Sequence, residues 1–164
     1  MTPSIEIAAP RSSADHEAVK ALFAEYAGSL GFSLEYQGFE TEMADFPGKY
    51  APPEGALLLA RADGRPVGAV AMRRMAEGIC EMKRLFVKPG LRGVRTADGR
   101  SIGRALAEGI VEEARARGYT RMRLDTIGGK MQAAISLYRS MGFVNIPPYY
   151  TSPVPDTAYM ELAL

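Results

Sequence analysis

Three strand-like runs separated by two tight turns occupy the middle of the sequence, and this feature restricts the fold most. The runs Ala56 to Ala62, Pro66 to Met75 and Ile79 to Val87 are rich in aliphatic residues. Asp63-Gly64 and Glu77-Gly78 lie between them, and short links containing glycine are typical of β-hairpins. The three runs are therefore predicted to form an antiparallel meander.

Helix-like and strand-like segments alternate on both sides of this meander. Apolar residues at spacings of three and four predict helices, and period-two alternation predicts strands. The predicted helices are a long one from Ser12 or Ser13 to Gly28–Gly31, a short one within Glu35 to Asp45, one from Ser101 to Gly118, and Lys130 to Met141. The other predicted strands are Ser4 to Ala8, Arg121 to Thr126, Phe143 to Ile146 and Ala158 to Leu162.

This order of elements predicts a mixed α/β (α+β) fold with a mostly antiparallel sheet. We expect about six or seven strands flanked by about four helices. The chain has 164 residues, which suits a single domain over residues 1–164.

Composition excludes several classes of function. The net charge is +1, and basic and acidic residues are interleaved, which argues against a nucleic-acid partner. No apolar run approaches the roughly 20 residues that span a bilayer. The start of the chain lacks the basic and apolar regions of a secretory signal. Cys80 and His16 are the single cysteine and histidine, so neither a disulfide nor a Cys/His zinc site is expected. These features predict a cytoplasmic protein without a metal or a membrane partner.

A Gly-rich, basic loop over Pro89 to Arg100 runs into the helix predicted at Ser101. Such a loop presents backbone N–H groups and the positive end of a helix dipole, which together can bind a pyrophosphate. Arg92, Arg95, Arg100 and Arg104 add positive charge around it. On these residues alone, any nucleotide-like ligand or an ordinary solvated loop fits equally well.

Two motifs resemble the GNAT superfamily of acyl-CoA N-acyltransferases. Leu85 to Pro89 followed by Ser101 to Leu106 is similar to the family's strand and signature helix, and Ala134 to Phe143 is similar to its second motif, a helix ending in Gly-Phe. The resemblance implies acetyl-CoA as cosubstrate, no metal, and transfer to a primary amine of a small molecule, peptide or protein. It leaves a homodimer open. The cofactor-binding residues that it implies are Leu85, Phe86, Val87, Arg92, Gly93, Arg100, Ser101, Ile102, Gly103 and Arg104.

Three departures from the family pattern lie near the expected cofactor. An apparent insertion, Val94 to Gly99, separates Arg92-Gly93 from the helix start. Ser101 stands where the family has a glycine, although Arg100 to Ala105 also fits the signature in a shifted register. Met131 stands where many members carry an asparagine. These departures motivate an alternative function, a non-catalytic acyl-CoA-binding or regulatory module.

Two residues are implied as catalytic groups by the resemblance. Glu81 is the candidate general base, and a regular strand would place it on the same face as Lys83, Leu85 and Val87. The alternative is a glutamate that only pairs with Lys83 or a nearby arginine. Tyr138 is the candidate general acid for the leaving thiolate, with an ordinary phenol pKa near 10. The alternative is an aromatic side chain packed on the sheet. A Cys80–His16 hydrolase has no support.

The resemblance implies that the acceptor enters between residues 32–55 and the late loop that contains Pro147 to Tyr150. Acidic and aromatic residues in the first segment would suit a cationic amine. These residues are Glu35, Tyr36, Phe39, Glu40, Glu42 and Tyr50, and the amide Gln37 lies among them. A solvated helix face with a packed lid is the alternative, and the identity of the amine is not specified by the sequence.

Overall fold

A computed structural model describes residues 2–127 and 131–164 of the chain. Within them, seven strands form one sheet in the order β1-β2-β3-β4-β5-β7-β6. The strands are β1 (Ile5–Ala8), β2 (Ala56–Ala62), β3 (Arg65–Ala76), β4 (Ile79–Val87), β5 (Arg121–Ile127), β6 (Val144–Asn145) and β7 (Thr157–Ala163). The α-helices are α1 (Ser13–Ser29), α2 (Phe39–Ala44), α3 (Ile102–Ala116) and α4 (Gln132–Ser140).

The predicted mixed fold is confirmed. Strands β2, β3 and β4 pair antiparallel as the meander, and β4 pairs with β5 in parallel across α3. The segment over residues 32–55, predicted to be mostly irregular, also contains 3₁₀ turns at Glu35–Gln37 and Gly48–Tyr50. The start predicted for the last helix, Lys130, lies outside the described residues. In the described ranges, no helix is both long enough and apolar enough to cross a membrane.

Each face of the sheet carries its own apolar core. Helix α3 packs on one face, where Leu106 and Ile110 are fully buried against Leu58 and Met72. Gly109 allows this close approach, since a Cβ there would lie 2.8 Å from the Leu58 side chain. Helix α1 packs on the other face, and the core beneath it covers β2, β3 and the end of β4. The half of this second face formed by β4, β5 and β7 lies outside that core.

A β-bulge at Arg84 reverses the side-chain pattern of β4. Lys83 pairs with Ala71 and Phe86 pairs with Ala69, so two residues of β4 lie opposite Val70. Arg84 has a φ of 63°, a left-handed conformation that is costly for a residue with a side chain. The bulge places Leu85 and Val87 against the α3 core, while Phe86 joins the α1 core.

The expectation that Glu81 shares a face with Leu85 and Val87 is therefore wrong. Glu81 lies on the face opposite to Cys80 and Met82, which belong to the α3 core. The extra residue at the bulge shifts the alternation by one position, so side chains after it point to the other face. Glu81 shares its face with Lys83 and Phe86 but not with Leu85 and Val87.

Candidate active site

Strands β4 and β5 separate along their length and leave a cleft between them. In the described residues they pair only from Ile79–Arg121 to Glu81–Arg123, although both strands continue beyond that point. The cleft is lined by Met82–Leu85 of β4, by Leu124–Ile127 of β5, and by Met131, Ala134 and Tyr138 at α4. The bulge therefore lies at the side of an opening in the sheet, which is a common place for a bulge next to an active site.

Tyr138 lies at the inner wall of the cleft. Its ring packs on Phe143 with ring centroids 5.6 Å apart, and the side chain is almost completely buried. Burial raises the pKa of Tyr138, so the phenol keeps its proton throughout the neutral pH range. Tyr138 is thus both an aromatic side chain packed in the core and a proton donor beside the cleft.

The N-terminus of α3 lies just after β4 and combines a cap with open backbone donors. The Ser101 hydroxyl accepts a hydrogen bond from the Arg104 N–H at 3.1 Å. Ile102 and Gly103 come first in the helix, so their N–H groups have no acceptor within it. Ser101 therefore acts as the helix cap, at the position where the sequence pattern leads one to expect a glycine.

The inserted loop folds back on itself before α3 begins. Arg95 and Ser101 form an antiparallel bridge, and the Thr96 N–H donates to the Arg100 carbonyl at 2.8 Å. The residues between them make a tight turn, in which the Gly99 N–H donates to the Thr96 carbonyl at 2.9 Å. The insertion thus forms a small hairpin, and its two ends, Arg95 and Ser101, lie side by side at the start of α3.

The arginines predicted to surround a phosphate have different surroundings. Arg100 and Arg104 both pair with Glu108, at 2.9 and 3.2 Å, so their charge is partly neutralised within the protein. Arg92 and Gly93 are exposed, and no atom lies within 4 Å of the position for a Gly93 Cβ. The structure therefore brings the α3 N-terminus and β4 together, while Arg92 and Gly93 lie at the solvent edge.

Glu81 is buried in an ion pair rather than exposed to the cleft. Its side chain is 2% exposed, and Arg73 binds Oε1 at 2.9 Å. The Tyr149 hydroxyl donates to Oε2 at 2.7 Å, so both carboxylate oxygens have partners. Cross-strand pairs extend this contact into a row of alternating charge across β3, β4, β5 and β7, made of Arg73, Glu81, Arg123 and Glu161.

Asp125 is a functional candidate that the sequence analysis missed. It lines the cleft on β5, it accepts a hydrogen bond from the Tyr150 hydroxyl, and its Oδ1 lies 3.8 Å from Lys83 Nζ. A sequence signal for it existed, because Arg121, Arg123 and Asp125 alternate with the apolar Met122 and Leu124 of the same strand. That alternation places Asp125 on the charged face.

Arg84 is a second residue that the sequence analysis missed. Its guanidinium binds both carboxylate oxygens of Glu42, at 3.0 and 3.2 Å, and donates to Gln37 at 2.6 Å. It also lies over the Phe39 ring, 5.3 Å from its centroid. One side chain from the bulge therefore holds both the turn before α2 and α2 itself.

The acceptor side differs in part from the expectation. Tyr36 and Gln37 do line the cleft, together with the apolar side chains of Leu30, Phe32 and Leu34. Glu42, however, forms a buried ion pair with Arg84, and Tyr50 is fully buried in the α1 core. Glu42 and Tyr50 therefore cannot attract a cationic amine as expected.

The late loop lies beside the cleft, next to Glu81 and Asp125, and its role as the facing wall of the acceptor site stays a prediction. The rings of Tyr149, Tyr150 and Tyr159 pack together with centroids 5.1–5.7 Å apart. Tyr149 and Tyr150 donate hydrogen bonds to Glu81 and Asp125, so this loop covers the charged half of the sheet. Cys80, in contrast, is buried in the core, and burial raises the pKa of its thiol to about 12, which does not suit a nucleophile.

Comparison with known sequences finds one family and full-length relatives. Residues 17–143 match the acetyltransferase (GNAT) family. An uncharacterised N-acetyltransferase of Schizosaccharomyces pombe is 37% identical over an alignment of 167 positions that covers 100% of this chain and 98% of that protein. An IAA acetyltransferase of Azospirillum brasilense is 37% identical over an alignment of 168 positions that covers 99% of both chains.

Comparison with solved structures finds the same fold. An acetyltransferase from Streptococcus agalactiae superposes with a TM-score of 0.76 at 24% identity, covering 98% of this chain and 99% of that one. The acetyltransferase yncA from Salmonella typhimurium, solved with its cofactor acetyl-CoA, superposes with a TM-score of 0.66 at 19% identity. That match covers 98% of this chain and 94% of the other. At these identities the structures establish a shared fold.

Proposed function

Because the chain belongs to the acetyltransferase (GNAT) family, we propose that it transfers the acetyl group of acetyl-CoA to a primary amine of a small molecule or peptide. The observation that carries the proposal is the cleft between β4 and β5, which is lined by the bulge and Tyr138. The α3 N-terminus lies beside the end of β4, since a Cβ at Gly103 would meet Val87 at 3.9 Å. A cytoplasmic location is part of the proposal, since a reducing compartment suits the free thiol of Cys80.

The cofactor would lie along β4 with its pyrophosphate at α3. The N–H groups of Ile102 and Gly103 and the capped turn at Ser101 would receive the phosphates. Arg92, Gly93, Arg100 and Arg104 would border them, and Arg100 and Arg104 would have to share their charge with Glu108. Backbone groups of Leu85, Phe86 and Val87, next to the bulge, would pair with the pantetheine arm and polarise the thioester carbonyl.

The transfer itself needs a proton acceptor and a proton donor. The acceptor ammonium loses one proton before its nitrogen attacks the thioester carbon and a second as the amide forms. The C–S bond breaks, and Tyr138 gives its proton to the leaving thiolate and is reprotonated through solvent. The net result is an amide, the free thiol of CoA and one released proton.

Two carboxylates compete for the role of base. Glu81, the base that the family resemblance implies, is bound by Arg73 and Tyr149. Asp125 faces the cleft, where an amine can reach it. We therefore assign proton acceptance to Asp125 and a positioning role to Glu81, because Glu81 orients Tyr149 and through it the loop that carries Tyr150.

Release of free CoA from acetyl-CoA on addition of amines tests the proposed activity, with a thiol reagent as the readout. Tyr138→Phe should lower kcat by about 100-fold or more, since it removes a proton donor and little else. Its dissociation constant for acetyl-CoA should stay within about threefold of the wild type. Unchanged kcat in Tyr138→Phe would remove Tyr138 from the mechanism and leave the activity itself standing.

Gly103→Ala should weaken acetyl-CoA binding without harming the fold. A Cβ at residue 103 would meet only Val87, at 3.9 Å, so the free protein has room for it. Alanine is also favoured over glycine in helices by about 0.5–1 kcal/mol, so unfolding should not become easier. We expect at least a tenfold rise in the dissociation constant, about 1.4 kcal/mol, from calorimetric titration. Equal affinity would place the phosphates elsewhere.

A further inference from the structure

We propose that the acceptor is a zwitterion whose amine lies next to a carboxylate, as in a free α-amino acid, and that Asp125 and Lys83 bind its two charges. This inference rests on the acetyl transfer proposed above and specifies its substrate class. It depends on one buried pair of opposite charges, which lies where the cleft opens between β4 and β5.

The Lys83–Asp125 pair is buried but loosely joined. Both side chains are 9% exposed, and Nζ lies 3.8 Å from the Asp125 carboxylate, beyond direct hydrogen-bond distance. The second carboxylate near Lys83, that of Glu81, lies at 4.0 Å. Among the described residues, the direct hydrogen-bond partner of Nζ is Gln37 at 3.2 Å. An ammonium has three donors, so Lys83 can still donate to a ligand in the cleft.

The other buried charged side chains nearby already have close partners of opposite charge. Arg84 binds Glu42 through two hydrogen bonds, and Glu81 binds Arg73 and Tyr149 at 2.7–2.9 Å. Neither Glu42 nor Glu81 lines the cleft. Lys83 and Asp125 are therefore the pair of opposite charges that a ligand in the cleft can contact.

The cost of burying charge selects a ligand with two charges. A simple ammonium that approached Asp125 would face the ammonium of Lys83 and leave it without its closest carboxylate. A simple carboxylate at Lys83 would deprive Asp125 in the same way. An unpaired charge in a buried site is strongly unfavourable. A zwitterion compensates both, since its ammonium pairs with Asp125 and its carboxylate with Lys83.

The remaining wall indicates the type of side chain. Leu30, Phe32 and Leu34 contribute apolar surface to the same cleft, next to the Tyr26 and Tyr36 rings. The Tyr150 hydroxyl donates to Oδ2 of Asp125, so the amine would bind at Oδ1, the oxygen that lies 3.8 Å from Lys83 Nζ. A free amino acid with an apolar side chain fits these surroundings better than a polyamine, whose second cation would have no partner in them.

Leucine, leucinamide and isoamylamine form a matched set of acceptors that tests the inference. They share a side chain and an amine but carry a carboxylate, a neutral amide or neither. With saturating acetyl-CoA and rates corrected for the fraction of neutral amine, wild-type kcat/KM should favour leucine by about 10- to 100-fold, as expected for a hydrogen-bonded charge. Equal or better turnover of either analogue would overturn the substrate class.

Lys83→Gln tests the assignment of the carboxylate, with Lys20→Gln on α1 as the matched control. The expected result is that Lys83→Gln loses the preference for leucine, by about 10-fold or more, and keeps its rate on leucinamide within about threefold. Lys20→Gln should retain the preference. An equal loss of kcat/KM on every acceptor would show that Lys83 does not bind the carboxylate of the acceptor.

The comparison of acceptors uses the wild-type protein alone, so the inference can still be tested if Lys83→Gln fails to fold. If the wild type binds acetyl-CoA but releases CoA with none of the acceptors, the amino-acid class is wrong, and the proposed cofactor function survives. If the wild type binds no acetyl-CoA, the proposed function itself fails. Calorimetric titration with acetyl-CoA before the acceptor assay separates these outcomes.

Discussion

Asp125→Asn is expected to lower kcat/KM for the acceptor by about 100- to 10,000-fold, the range typical of a lost general base. The substitution keeps the shape of the side chain and an oxygen for the Tyr150 hydroxyl, which donates to Asp125. It removes the carboxylate that we propose as the acceptor of the proton from the amine. Acetyl-CoA binding should be unchanged, because the α3 N-terminus is not affected.

The pH dependence identifies the reason for this loss. Without a base, the reaction depends on amine that is already neutral, so the residual rate of Asp125→Asn should rise about tenfold per pH unit below the pKa of the amine. Glu81→Gln is the matched control, since Glu81 is a buried carboxylate on the same face with Arg73 and Tyr149 as partners. A small, pH-independent loss is expected for it. The reverse pattern would assign the base to Glu81.

Glu42→Gln is expected to destabilise the fold by about 3–5 kcal/mol, the usual effect of breaking a buried ion pair. Side-chain exposure is 5% for Glu42 and 3% for Arg84, and the carboxylate binds the guanidinium through both oxygens. Without the Glu42 carboxylate, the buried guanidinium of Arg84 keeps its charge and its contacts with Gln37 and Phe39. Its backbone also keeps the left-handed conformation. Urea unfolding measures the change.

Two further variants show whether burial explains this effect. Glu112→Gln breaks a pair with Arg115 whose side chains are 69% and 46% exposed, and it should change stability by less than about 1 kcal/mol. Glu42→Gln combined with Arg84→Met removes both charges, so it should recover much of the loss. A Glu42→Gln protein as stable as Glu112→Gln would contradict a structural role for the Arg84 contact.

Sequence patterns predicted the elements well because their causes are local. The bounds of β2 and β4 agree with the apolar runs, and α1 begins after Ser12, whose hydroxyl accepts from the Asp15 N–H while the Asp15 carboxylate accepts from the Ser12 N–H. The departure at Ser101 has a local explanation too, since a serine caps a helix better than a glycine does.

The composition of the site was harder to predict because it depends on contacts between distant segments. The bulge at Arg84 follows from how β4 pairs with β3, and the sequence from Ile79 to Val87 gives no sign of it. The partners of Glu81, Arg73 and Tyr149, are 8 and 68 residues away. Alternation in β5 could have indicated Asp125, but only the separation of β4 and β5 shows that it faces a cleft.

Calorimetric titration of the purified protein with acetyl-CoA tests the central proposal most directly, with CoA and ATP as comparison ligands. The proposal predicts saturable, one-to-one binding of acetyl-CoA with a dissociation constant of about 1–100 μM, or about −8 to −5.5 kcal/mol. CoA should bind at the same site, and ATP should bind at least tenfold more weakly, since it lacks the pantetheine arm that we propose to pair with β4. No binding of acetyl-CoA at millimolar concentration would contradict the account and leave the cleft without a cofactor.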